Sequence, residues 1–140
     1  MESIENKEIQ IIDEVCADIR VTGSLQSDAR NRLLAQFKKR FENAESLVQR
    51  GAVRKLVFNP SERVIWTVRG RSGEYQVIPR SNFCNCDDYY FRVIGRKRQL
   101  CYHLIAQKLA ESLCQFPTES HPDSRYSSVT KKWRGDRPRK

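Results

Sequence analysis

The stretch CNCDDYYFRVIGRKRQLCYH, residues 84–103, decides how this chain is organised. It begins with two cysteines that have one residue between them, Cys84 and Cys86, and it ends with Cys101 and His103 in the same spacing. Three thiolates and an imidazole are a complete ligand set for tetrahedral zinc, which favours soft and borderline ligands in closed structural sites. The sequence therefore predicts that these four side chains bind one structural Zn²⁺.

The alternatives for these residues are a disulfide, a catalytic zinc or no common site. A disulfide needs an oxidising compartment, but the N-terminus MESIENKEIQ is acidic and has no apolar signal region. We therefore expect an intracellular protein with reduced thiols, in the cytoplasm or, in a eukaryote, the nucleus. A catalytic zinc keeps one open position. Asp87 and Asp88 would act as a base only if one ligand were labile, so four good ligands favour a closed site.

The residues before the first ligand pair alternate between apolar and polar, as strands do. The segments VRKLVF, RVIWTVRG and EYQVIPR are rich in β-branched and aromatic residues, and NPSE and GRSG between them supply turns. An antiparallel meander of three strands is the simplest topology, with DYYFRVI after Cys86 as a fourth short strand. Trp66 and Tyr75 are then packing residues of the sheet rather than platforms for nucleic-acid bases.

Helical periodicity flanks the strands on both sides. Apolar residues recur at helical spacing in residues 4–20 and 28–50, which predicts two N-terminal helices, with Cys16 as a core residue. The segment CYHLIAQKLAESLCQF predicts a C-terminal helix with Cys101 and His103 in its first turn. Cys114 lies about three turns beyond them, too far to bind the same ion. The predicted fold class is α+β.

This interpretation divides the chain into three parts. Residues 1–51 are a helical segment, residues 52–116 are the meander with the zinc finger that closes on a C-terminal helix, and residues 117–140 are a basic tail. The tail has few aliphatic residues with which to form a core, so we expect it to be disordered. No apolar run approaches the roughly 18 residues of a membrane span, so we expect no membrane partner.

The charge of the chain is unevenly distributed. Its formal net charge is +9, yet residues 1–20 carry two basic and six acidic side chains, whereas residues 125–140 carry seven basic and one acidic. This asymmetry favours a polyanionic partner such as nucleic acid, although a basic surface also keeps a small protein soluble. The predicted phosphate contacts are Arg96, Lys97 and Arg98 between the ligand pairs, and Lys131, Lys132, Arg134, Arg137, Arg139 and Lys140 in the tail.

The pattern C-x-C-x14-C-x-H, placed after a meander and leading into a helix, resembles the SWIM zinc finger. The segments CNCDDYYFRVI and LCYHLIAQKLAESL resemble the small SWIM proteins of the Shu recombination complex, and the resemblance covers residues 52–115. Tyr102 departs from it, since many SWIM fingers have a lysine between the last two ligands. The apolar residues that carry the resemblance are Phe91, Val93 and Ile94 before the loop, and Leu104, Ile105 and Ala106 after the histidine.

The resemblance implies a non-enzymatic adaptor in homologous recombination and DNA repair, which pairs with a RecA-family recombinase paralogue and binds DNA. The alternative is an RNA-binding or ribosome-associated zinc-finger protein, because a zinc knuckle with a basic arm fits an RNA groove equally well. We do not expect an enzyme or a small-molecule substrate, since the sequence has no phosphate-binding glycine loop and no arrangement of nucleophile and base.

Overall fold

The computed structural model of the chain describes residues 4–70, 73–86, 89 and 99–133. Its fold is α+β, as predicted, with helices at the N-terminus, a five-stranded sheet and a helix that follows the ligand stretch. The helices are α1 (Ile4–Thr22), α2 (Ser27–Phe37), α3 (Lys39–Gln49), α4 (Tyr102–Leu113) and α5 (Tyr126–Thr130). The strands are β1 (Val53–Asn59), β2 (Arg63–Arg69), β3 (Glu74–Ile78), β4 (Phe83–Cys84) and β5 (Thr118–Pro122). In the described part of the chain, no helix has the length and apolar character needed to cross a membrane.

The prediction of one helix over residues 28–50 is wrong, because this region forms α2 and α3. Lys38 lies between them with φ 55° and ψ −122°, and its backbone N–H donates to the carbonyl of Leu34 (2.9 Å), which closes α2. Phe37 and Phe41, on the two sides of the break, are both buried and have helical spacing. Since neither glycine nor proline marks the break, periodicity alone does not reveal it.

The sheet has the strand order β4-β3-β2-β1-β5. Strands β1 to β3 form the predicted antiparallel meander, and β4 continues it by pairing antiparallel with β3. The fourth strand is the two-residue segment Phe83–Cys84, which pairs with Ile78 and Val77 of β3. The predicted strand in DYYFRVI, residues 88–94, lies outside the described residues except for Tyr89.

The two faces of the sheet differ, because side chains alternate along each strand. On the face we call inner, sheet residues join α1–α4 in one large buried cluster. On the face we call outer, a smaller buried cluster forms. Trp66, on the inner face, is 7% exposed and packs edge-on against Phe116, which confirms its predicted packing role. The inner residues are Val53, Trp66, Val68 and Val77, and the outer residues are Leu56, Phe58 and Ile65.

The prediction of a disordered tail is wrong for residues 118–133. Strand β5 extends the sheet by pairing with β1 in parallel, and the following residues pack on the outer face. His121 stacks on Phe58, with ring centroids 5.4 Å apart. The prediction rested on the small number of aliphatic residues in the tail. The tail is ordered because its few apolar side chains, Tyr126, Val129 and Trp133, pack on the apolar outer face of the sheet. Residues 134–140 lie outside the described residues.

Candidate metal centre

The four predicted ligands are placed by the end of one strand and the beginning of one helix. Cys84 is the last residue of β4, where it pairs with Val77, and Cys86 follows two residues later. Cys101 is the N-cap residue of α4, and His103 lies in the first turn of that helix. The predicted placement of both pairs is therefore confirmed.

The structure brings these four side chains together in one buried cluster. Their ligand atoms all lie within 4.8 Å of one another. In a tetrahedral shell with Zn–S bonds near 2.3 Å, two sulfurs lie about 3.8 Å apart, so the cluster has the dimensions of a shell around one ion. The exposed fractions are 0% for Cys84, 3% for Cys86, 0% for Cys101 and 4% for His103. The four side chains therefore have the composition and burial of a closed site that could hold a metal ion.

The three thiols are too close together to ionise independently. Hydrogen bonds from the thiols of Cys101 and Cys84 hold the pKa of Cys86 far below its ordinary value. The pKa of Cys84 is raised by its hydrogen bonds to Cys101 and Cys86, and burial raises the pKa of Cys101. A divalent cation would supply the charge that allows all three to be thiolates.

The imidazole of His103 gives independent support for a metal. Both ring nitrogens are buried, and neither has a hydrogen-bond partner among the described residues. A buried nitrogen without a partner costs about 1–3 kcal/mol, and coordination to an ion would satisfy one of the two. The rings of Tyr75 and Tyr102 pack against this imidazole, with centroid distances of 4.7 and 4.3 Å. The ring is therefore held in place by aromatic packing.

Gly70 provides space for the same imidazole, a role that the sequence analysis missed. A Cβ atom at this position would lie 2.9 Å from Nε2 of His103 and 2.9 Å from Cε2 of Tyr75. Such contacts are shorter than real Cβ atoms show, so any other residue would push one of the rings. In the sequence Gly70 is only the first residue of a predicted turn, and nothing there indicates that a histidine 33 positions later packs against it.

A backbone amide also contacts the centre. The N–H of Tyr89 donates to Sγ of Cys86 at 3.3 Å, which stabilises a thiolate at that position. The ring of Tyr89 in turn packs edge-on against Phe83 of β4, with centroids 5.1 Å apart. Tyr89 therefore contacts both the Cys/His cluster and the edge strand of the sheet.

The two other cysteines take no part in the cluster, as predicted. Cys16 is buried in the core, its Sγ donates to the carbonyl of Lys108 at 3.5 Å, and burial raises the pKa of its thiol. Cys114 is exposed at the C-terminal end of α4, where it adopts φ 58°.

Most of the predicted phosphate contacts cannot be placed. Lys132 is described, and its Nζ lies 2.9 Å from Oε1 of Glu74. Lys131 is also described and is exposed. The prediction that these two lysines contact phosphates stays a prediction. Lying outside the described residues are Asp87, Asp88, Arg96, Lys97, Arg98, Arg134, Arg137, Arg139 and Lys140.

Comparison with curated proteins finds similarity to a SWIM-domain protein. The chain is 31% identical over 84 residues to the zinc finger SWIM domain-containing protein 7 homolog of Dictyostelium discoideum. The match covers 59% of this chain and 54% of that protein, so the chain spans about half the length of the relative it matches. No family model matches the chain, and no solved structure matches it. The buried Cys/His cluster and this similarity together support a SWIM-type zinc finger in this chain.

Proposed function

We propose that Cys84, Cys86, Cys101 and His103 bind one structural Zn²⁺, and that the chain is a zinc-stabilised, non-enzymatic adaptor in homologous recombination and DNA repair. The observation that carries the zinc site is the burial of all four ligands in one cluster, with ligand atoms within 4.8 Å of one another. Three sulfurs and one nitrogen form the preferred donor set of structural zinc.

The position of the cluster favours a structural role over a catalytic one. All four ligands are at most 4% exposed, so a bound ion would have a complete protein shell rather than an open position for a substrate. The ion would join the end of β4 to the beginning of α4, and α4 carries the core residues Leu104, Ile105 and Leu109. Metal binding would therefore contribute directly to the stability of the inner face.

The adaptor role is supported by the similarity to a SWIM-domain protein and by the resemblance of the ligand stretch to the SWIM proteins of the Shu complex. On this proposal the protein partner is a RecA-family recombinase paralogue. The net charge of +9 supports a further contact with DNA phosphates, which Arg96, Lys97, Arg98 and the basic tail would make. Such contacts depend strongly on salt and discriminate poorly between sequences.

The zinc half of the proposal is tested by the metal content of the purified chain. We expect one zinc per chain by inductively coupled plasma mass spectrometry after dialysis against metal-free buffer. Thiol titration of the native protein should then find Cys114 reactive and the three cluster cysteines protected until a chelator is added. Three cluster thiols that react at once in a metal-free protein would contradict the site.

The partner half is tested by affinity purification from the native cell, with and without nuclease. Recovery of a RecA-family ATPase that survives nuclease treatment supports the adaptor proposal. Recovery of ribosomal RNA and ribosomal proteins instead would favour the RNA-binding alternative.

The DNA contact is tested separately by fluorescence anisotropy with single- and double-stranded DNA. Binding should weaken steeply as salt rises, and its absence at low salt, both with the copurified ATPase and without it, would refute the DNA contact.

A further inference from the structure

We propose that Glu8 of α1 and Arg40 of α3 are positioning residues for the metal centre, because they clamp the backbone immediately before Cys101. This inference rests on the proposed zinc site and extends it to the N-terminal helices. Nothing in the ligand spacing or in the similarity to SWIM-domain proteins assigns a role to this pair.

The two side chains form a buried, bidentate ion pair. Arg40 donates from Nη2 to Oε2 of Glu8 at 2.7 Å and from Nη1 to Oε1 at 3.1 Å. Each side chain is 12% exposed. The guanidinium also lies over the ring of Phe37, 5.0 Å from its centroid. The guanidinium of Arg40 is therefore held both by the carboxylate of Glu8 and by the ring of Phe37.

The same pair satisfies the backbone groups that lead into the ligand Cys101. Oε1 of Glu8 accepts from the backbone N–H of Gln99 (2.8 Å) and of Leu100 (3.2 Å), and Nη1 of Arg40 donates to the carbonyl of Leu100 at 2.6 Å. In a further contact, the backbone N–H of Ile9 in α1 donates to the side-chain Oε1 of Gln99 at 3.0 Å. Residues 99–100 are therefore held on both their donor and acceptor groups by α1 and α3.

The carboxylate of Glu8 keeps its charge although the ion pair is largely shielded from solvent. A buried ion pair loses solvation that its attraction repays only when further hydrogen bonds complete the geometry. Burial acts to raise the pKa of Glu8, but the hydrogen bonds from Arg40, Gln99 and Leu100 outweigh it, so the pKa lies below the ordinary value and the carboxylate stays charged. The carboxylate is thus kept charged by Arg40 and by the two backbone N–H groups that precede Cys101.

The pair Glu14–Arg32 offers a matched comparison. It also joins α1 to the following helices, with an N···O distance of 2.7 Å, but its side chains are 49% and 45% exposed. Exposed pairs of this kind contribute little to stability. The variant Glu14→Gln is therefore a control, because it also removes one carboxylate from α1 but leaves the Glu8–Arg40 pair in place.

The test measures zinc release from the full chain to excess chelator, with a chromogenic zinc indicator. Substitution of a residue that orients a metal ligand typically lowers the metal affinity by about 10- to 100-fold. We expect Glu8→Gln and Arg40→Met to release zinc at least about tenfold faster than the unsubstituted chain, and Glu14→Gln to release it at an unchanged rate. Release from Glu8→Gln at the rate of Glu14→Gln would overturn the inference.

A charge swap distinguishes two roles of the pair: holding the backbone of residues 99–100, or only linking α1 to α3. In the double variant Glu8→Arg/Arg40→Glu the ion pair remains, but an arginine at position 8 cannot accept from the N–H groups of Gln99 and Leu100. Fast zinc release from the double variant supports the clamp, whereas restored retention would show that the pair only joins α1 to α3.

Amide hydrogen exchange gives a readout that needs no metal. The N–H groups of Gln99 and Leu100 should exchange faster in Glu8→Gln than in Glu14→Gln. If the unsubstituted chain binds no zinc, the proposed function fails, and this exchange measurement still decides whether the clamp exists. If zinc binds and both amides stay protected in Glu8→Gln, only the clamp is refuted.

Discussion

The inner face of the sheet packs against helices α1–α4 and has the Cys/His cluster at its edge, whereas the outer face is covered by the short segment 123–133, which follows β5. The inner cluster contains many fully buried aliphatic side chains, and the outer cluster has three buried sheet residues beneath a set of exposed or half-buried ion pairs. The two faces should therefore respond to different treatments. Removal of metal should weaken the inner face, and loss of charge or of one aromatic side chain should release the outer segment.

Two ion pairs of the outer face meet at Glu74 of β3. Its carboxylate lies 2.9 Å from Nζ of Lys132 and 3.4 Å from a guanidinium nitrogen of Arg54, and it accepts from the hydroxyl of Thr67 at 2.9 Å. The backbone carbonyl of Glu74 accepts from the indole N–H of Trp133 at 3.3 Å. Glu74 thus links the central strands to the end of the described chain.

The largest expected effect is the loss of a zinc ligand on the inner face. Cys101→Ser should lose the zinc and lower the free energy of unfolding by about 4 kcal/mol or more, because metal binding is part of the folding free energy. Zinc content and denaturant unfolding measure the two effects. Cys114→Ser is the control, since this exposed thiol lies outside the cluster. Stoichiometric zinc and an unchanged unfolding midpoint in Cys101→Ser would contradict the site.

A smaller effect is expected from truncating the aromatic residue that covers the outer face. Trp133→Ala should lower the free energy of unfolding by about 2 kcal/mol, because Trp133 packs on the outer cluster and is only partly buried. Zinc release should not change, which would separate the two faces. Trp133→Phe keeps most of the apolar contact and should cost less than Trp133→Ala. Faster zinc release from either variant would show that the faces are coupled.

Gly70 lies directly after β2 and should affect the metal centre from the end of that strand. Gly70→Ala should weaken zinc binding about tenfold, because the added Cβ displaces the ring of His103 or of Tyr75. Competition with a chelator of known affinity measures this effect. Gly23→Ala is the control for backbone strain: Gly23 has φ 86° and no atom within 4 Å of an added Cβ. It should lower stability and leave zinc affinity unchanged. Equal zinc affinity in the two variants would refute the role of Gly70.

The smallest expected effect is the pH dependence of the outer face. Burial acts to raise the pKa of Glu74, but Lys132, Thr67 and Arg54 outweigh it, so its folded pKa lies below the ordinary value of 4.5. Its contribution to stability is therefore complete above about pH 4.5 and is lost as the pH falls through the lower folded value. The indole N–H resonance of Trp133 should report this release by NMR. In Glu74→Gln that pH dependence should disappear, and a resonance that titrates equally in both proteins would exclude Glu74 as its cause.

The Cys/His cluster was largely predictable, because its signals lie in short stretches of the sequence. Each ligand pair has one intervening residue, and the change from a period of two to a period of 3.6 places the pairs at a strand end and a helix start. Cys16 was also predictable as a core residue, because it lies on the apolar stripe of α1. These features depend on residues that are neighbours in sequence or along one element.

The features that the sequence did not reveal depend on contacts between distant residues. Glu8 lies 91 residues from the backbone N–H of Gln99 that it binds, and Glu74 lies 58 residues from Lys132. In the sequence each of these residues has the spacing of an ordinary surface charge. The order of the tail was missed for the same reason, because β5 gains its partners from β1 and its apolar surface from the outer face. Composition alone does not report such a surface.

The most direct test of the central claim is X-ray absorption spectroscopy at the zinc edge of the purified chain. We expect a four-coordinate ion with three sulfurs near 2.3 Å and one imidazole nitrogen at about 2.0–2.1 Å. His103→Cys should convert the spectrum to one with four sulfurs. A shell with a water or carboxylate oxygen, or with fewer than three sulfurs, would contradict the closed site formed by Cys84, Cys86, Cys101 and His103.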